Sequence, residues 1–169
     1  MYWLWCKRGH VEVYGCFPAG FTRGRADIRI DGPSPRGAHI IAFNRTEGTK
    51  RPRASESKGE SRLLYVSPSD KEVNIALKAN QLIAHEPQSD MINYNAAGTV
   101  WLVGNHVNYA GPAMRALRGE ERRNYLITGK APRAQVFALG NILWNTDVFR
   151  KLDAGKTVAL ANMGDNMLN

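Results

Sequence analysis

Apolar and polar positions alternate with a period of two in the first third of the chain and shift toward a helical period beyond it. Val11 to Phe17, Ala26 to Asp31 and Ala38 to Asn44 each alternate, and Leu63 to Val66 is a shorter run of the same kind. Pro18-Ala19-Gly20 and Asp31-Gly32-Pro33-Ser34-Pro35 punctuate them, so the pattern predicts short strands joined by turns. After that, Ser69-Asp70-Lys71-Glu72 matches a capping box, and Val73, Ala76, Leu77, Ile83 and Ala84 supply one apolar face. A helix over 69–85 is expected, closed by Glu86-Pro87. Thr99 to Val103 reads as a strand or a buried turn. Val107, Ala110, Met114 and Leu117 predict a helix interrupted at Gly111-Pro112; Pro132 opens another, and Thr146 to Leu152 a last short one. Strands first and helices after read as an α+β fold, with no internal repeat.

At 169 residues, with 43% apolar and 22% charged positions, the chain is expected to be one domain with a real core. Arg45 to Arg62 has almost no large apolar residue and is expected to be an exposed basic loop, while the tail 163–169 is expected to fray. Neither the opening segment, Met1 to Arg8, nor any later run reaches the length of a signal segment or a membrane span. A soluble protein is expected, cytoplasmic or exported by a route without an N-terminal signal.

Charge changes the picture. Twenty-three Lys and Arg against fifteen Asp and Glu leave +8, a balance that favours an anionic partner: nucleic acid, a phospholipid surface or a cell-wall polymer. Lys50, Arg51 and Arg53 in the basic loop, with Arg122 and Arg123 further on, are the binding candidates. Cys6 and Cys16 lack C-x-x-C spacing, and the four histidines (His10, His39, His85, His106) fall into no ligand spacing, so neither a metal nor another cofactor is expected.

Gly9-His10-Val11-Glu12-Val13-Tyr14-Gly15 puts a histidine on a short strand, and Gly104-Asn105-His106-Val107-Asn108-Tyr109-Ala110 puts an Asn-His pair at the entry to an apolar run. In outline this resembles the circularly permuted papain-like hydrolases and acyltransferases, the lecithin:retinol acyltransferase relatives and bacterial amidase-like effectors, with His106 where that group carries its cysteine. The resemblance implies a small antiparallel sheet packed by helices, and acyl transfer at an amide, ester or thioester. His10 would be the base, with Glu12 or His39 orienting it. Asn105 would help to stabilise an oxyanion, and His106 would be the acyl acceptor in the cysteine's place. Apart from the resemblance, Cys16 with His39 on the strand 38–43 is a second candidate nucleophile and base. The alternative, carried by charge and by the incomplete catalytic set, is a basic interaction protein: a phage or virion component or a nucleic-acid-binding factor.

Overall fold

The computed structural model describes residues 3–17, 26–47, 62–84, 90–109, 124–130, 134–144, 146–149, 159–162 and 167–168. They form sixteen strands and no helix, and every strand pair is parallel. The strands recur in the order of three sheets. Sheet A holds β1 (Leu4–Cys6), β3 (Ile28–Ile30), the first part of β6 (Leu64–Glu72), the first part of β9 (Asp90–Val103), β11 (Asn124–Thr128) and β14 (Thr146–Phe149). Sheet B holds β2 (Glu12–Tyr14), β4 (Ala38–Ala42), β7 (Asn74–Lys78), the second part of β9, β12 (Ala134–Leu139) and β15 (Ala159–Asn162). Sheet C holds β5 (Arg45–Glu47), β8 (Gln81–Ala84), β10 (His106–Tyr109), β13 (Ile142–Trp144) and β16 (Met167–Leu168). A chain that visits A, B and C in turn and pairs each strand with its counterpart one circuit later is a parallel β-helix.

This corrects the α+β expectation and the permuted papain-like architecture with its antiparallel sheet and packing helices. The four early strands are strands. The residues read as the 69–85 helix continue β6 and then form β7 and β8; 106–109, 134–139 and 146–149 are likewise strands. The apolar spacing that imitated a helix arises because Val73, Ile75 and Leu77 point inward from a strand while Leu82 does so from the next sheet, across a tight turn. Arg45–Glu47 of the expected loop is β5, and Arg62 is buried; 48–61 and most of 163–169 lie outside the described residues.

The interior is a set of stacked apolar columns. In sheet A, Leu4, Ile28, Leu64, Ile92 and Ile127 align, and in sheet B, Val13, Ile41, Leu77, Leu102 and Ala138 do so. All but Leu4 are buried. Tyr94 is also inside; its hydroxyl donates to the Val73 or Ala97 carbonyl, each 2.6 Å away.

The turn from sheet B to sheet C is the fold's repeating device. Gly15, Phe43, Ala79, Gly104 and Gly140 all have positive φ, between 50° and 62°. The next residues are Cys16, Asn44, Asn80, Asn105 and Asn141. The Asn80 carboxamide oxygen accepts from the Asn44 backbone N–H and side chain, Asn105 does the same for Asn80, and Asn141 for Asn105, all at 2.9–3.1 Å. Each carboxamide also donates to the carbonyl of the inward residue one coil earlier: Val13, Ile41, Leu77 and Leu102. Cys16 ends the ladder, its N–H donating to Asn44 Oδ1 at 2.9 Å. Left-handed backbone at Phe43 and Ala79 costs roughly 1–2 kcal/mol each. The buried ladder offsets this, because the alternative leaves several carbonyls and N–H groups unpaired.

Candidate functional site

The residues expected to form one centre are spread along the helix. His10 precedes β2 in the first coil and His106 opens β10 in the fourth. Three coil rises at about 4.8 Å separate them by about 14 Å along the axis, on different sheets, so no hydrogen bond joins them. Asn105 is fully buried with its carboxamide consumed by the ladder, which leaves it no group to offer an oxyanion. Cys16 is the ladder's end residue; its thiol donates to the Tyr14 carbonyl, and both cysteines are free. His106 is half-buried, and its Nε2 has no partner among the described residues. Lys50, Arg51, Arg53, Arg122 and Arg123 lie outside the described residues, as does His85. Among the described residues no three His, Cys, Asp or Glu converge as a metal site, and no helix is long and apolar enough to cross a membrane.

His39 faces inward at the column position that Val11, Ile75, Val100 and Val136 fill in other coils. Its Nδ1 accepts from the Val11 N–H at 3.1 Å and its Nε2 donates to the Gly32 carbonyl at 2.9 Å, which fixes a neutral ring. Burial lowers its pKa, outweighing the bond to Gly32. The His10 ring stacks on it with centroids 6.0 Å apart. Outside this pair, His10 Nδ1 lies 2.7 Å from Ser34 Oγ and His10 Nε2 lies 2.7 Å from Glu12 Oε1. That bond to His10 holds the Glu12 carboxyl below its usual range. Of the residues expected around His10, Glu12 and His39 are both brought to it. Ser34 was missed, because a serine between two prolines reads only as turn chemistry.

The other concentration of chemistry is the outer face of sheet A. In register, one outward column reads Trp5, Arg29, Tyr65, Asn93, Thr128. One step beyond, Lys7, Asp31, Ser67, Asn95 and Lys130 follow the same coils. Lys7 Nζ lies 4.3 Å from the Trp5 ring centroid, and the Arg29 guanidinium lies 4.7 Å from Trp5 and 5.9 Å from Tyr65. Asp31 ties the group together: it accepts from Trp5 Nε1 at 2.6 Å, Arg29 Nε at 2.6 Å and Ser67 Oγ at 2.5 Å. Burial alone would raise this carboxyl; the hydrogen bonds from Arg29, Ser67 and Trp5 outweigh it and keep the group an anion. Further along, Asn95 donates to Asn93, Asn93 donates to Thr128, and the Lys130 N–H donates to Asn95. The face therefore presents two aromatic rings, three cations, one anion and the half-buried amides of Asn93 and Asn95, with the Ser67 and Thr128 hydroxyls buried behind them.

No protein-family model matches the chain, and neither a curated protein nor a solved structure is significantly similar to it.

Proposed function

We propose that the protein is a recognition module that lays an extended acidic glycan along the outer face of sheet A. The observation that carries this reading is the register: Trp5, Arg29, Tyr65, Asn93 and Thr128 occupy the same outward position in five successive coils. A side-chain row repeating every ~4.8 Å suits a polymer whose own units repeat at a similar length. Its chemistry selects among polymers. Lys7, Arg29 and Lys130 against Asp31 leave the row cationic, in keeping with the charge of the whole chain. Asn93 and Asn95, half-buried on the same face, add amide edges able to bond a hydroxyl with the capacity left over from their own contacts, while the buried Ser67 and Thr128 hydroxyls hold Asp31 and Asn93 in place.

Trp5 and Tyr65 serve here to hold Lys7 and Arg29 at the surface by cation–π contact, since the cations already sit over the rings. That argues against a nucleic acid, which would need bare rings for base stacking. A carboxylated sugar carries charge and hydroxyls on the same unit, matching a face on which cations and amides lie side by side.

Calorimetric titration with a uronic-acid oligosaccharide tests the reading. Binding that weakens as salt rises and falls about tenfold in Trp5→Ala is expected. No binding to the uronate, or equal binding to a neutral glycan of the same length, overturns it, as does preference for single-stranded DNA.

A further inference from the structure

The turn that follows sheet A in the first two coils holds a second chain of hydrogen bonds, separate from the cationic row. Ser34 Oγ, the His10 ring and Glu12 Oε1 are joined in line by two contacts of 2.7 Å. The Glu12 carboxylate is an acceptor, so His10 Nε2 carries the proton that faces it; in the neutral ring Nδ1 then accepts from the Ser34 hydroxyl. The Arg36 backbone N–H donates to Ser34 Oγ at 3.0 Å and fixes it beneath the turn. His39 backs the imidazole and has both ring nitrogens engaged, so it positions the ring without exchanging protons. Ser34 is three residues beyond Asp31 and His10 three beyond Lys7, which puts this set at the border of the cationic row.

We propose that Ser34, His10 and Glu12 form a nucleophile, base and carboxylate that hydrolyse O-acyl esters on a bound glycan; the choice of glycan rests on the reading above. Ser34 Oγ attacks the ester carbonyl as its proton passes to His10 Nδ1, and Glu12 stabilises the imidazolium that forms. The C–O bond to the sugar then breaks, and the departing hydroxyl takes the proton from Nδ1. Water attacks the acyl-serine, losing its proton to Nδ1, and the carboxylic acid leaves with Ser34 restored. The exposed Arg36 guanidinium lies 3.8 Å from Glu12 and supports its carboxylate form. Ser34 is only 8% exposed, which limits the acyl group to a small one such as acetyl.

Treatment of the wild-type protein with a fluorophosphonate, followed by mass mapping, tests the nucleophile without any variant. Modification of Ser34 is expected, together with hydrolysis of p-nitrophenyl acetate that falls about 10²–10⁴-fold in His10→Gln. Glu12→Gln should lower kcat with KM little changed and shift the pH profile, which a merely structural carboxylate would not do. An unmodified Ser34, or hydrolysis equal in wild type and His10→Gln, overturns the proposal. The small probe needs no glycan, so an unlabelled Ser34 beside intact uronate binding rejects the hydrolytic centre alone. Labelled Ser34 without uronate binding rejects the glycan reading and, with it, the substrate assigned here.

Discussion

Strand β9 lies in two sheets, and its two halves show different outer surfaces over the same kind of interior. On sheet A its outward residues are Asn93 and Asn95; on sheet B they are Thr99, Trp101 and Val103. The neighbours follow suit. Beside Asn93 stand Tyr65 and Thr128, whereas Trp101 has Ala76 and Phe137 at its sides, with the Phe137 ring stacked at 6.5 Å. Inward, both halves are alike: Ile92, Tyr94, Val100 and Leu102 are all fully buried. The inner face and the asparagine turn specify the helix, and the outer faces are left to differ in chemistry. The proposed recognition therefore uses sheet A, where the outward residues are polar and charged, and not the side of sheet B that carries Trp101 and Phe137.

The largest expected effect breaks what the two halves share. Asn105→Ala removes a carboxamide that serves Asn80, Asn141 and the Leu77 carbonyl. Stranding buried groups costs about 1–3 kcal/mol each, so the loss should exceed about 4 kcal/mol, near the whole stability of a small domain. Urea unfolding should show the variant largely unfolded, while Asn95→Ala on the outer face stays folded with a loss of about 1 kcal/mol.

A smaller effect separates the second coil from those after it. Asp27 is buried, with Oδ2 unpartnered among the described residues. Burial pushes its pKa up to about 7; the Thr46 hydroxyl is near enough to favour the anion but closes no hydrogen bond of its own. The folded state thus holds this proton more tightly than the unfolded chain, where the carboxyl titrates near 4. Its contribution is complete below about pH 4 and is lost as pH rises through about 7, roughly 3 kcal/mol over that window. Across that range the denaturant midpoint of wild type should fall relative to that of Asp27→Asn as pH rises; the lowered pKa of the buried His39 acts in the opposite sense in both proteins and cancels in the difference.

The smallest effect sharpens the contrast between faces. Trp5→Ala should weaken uronate binding about tenfold, roughly 1.4 kcal/mol, by releasing Lys7 and Arg29. Trp101→Ala should leave that affinity unchanged. Equal losses in both would erase the distinction on which the functional assignment rests.

Much of the early half was legible in sequence, because Val11 to Phe17, Ala26 to Asp31 and Ala38 to Asn44 alternate as half-buried strands do. The helices were misread because Val73, Ala76, Leu77, Ile83 and Ala84 mix positions from two strands and the turn between them. A repeat was present but weak: Val11-Glu12-Val13-Tyr14-Gly15-Cys16, Ile75-Ala76-Leu77-Lys78-Ala79-Asn80, Val100-Trp101-Leu102-Val103-Gly104-Asn105 and Val136-Phe137-Ala138-Leu139-Gly140-Asn141 share one pattern. Uneven spacing hid it, the ladder asparagines lying 36, 25 and 36 residues apart. His10 and Glu12 were legible as chemistry on one strand. The pairing of Ser34 with His10, and the alignment of Trp5 with Arg29 and Tyr65, depend on strand register, which only the parallel pairing reveals.

The indole N–H resonances of Trp5 and Trp101 report on the two faces in a single titration. Trp5 Nε1 donates to Asp31 within the cationic row, and Trp101 lies on the apolar face. Titrating the isotope-labelled protein with a uronic-acid oligosaccharide should shift the Trp5 indole signal saturably and leave that of Trp101 in place. Movement of the Trp101 signal with Trp5 unmoved, or no movement of either at millimolar ligand, would contradict the account.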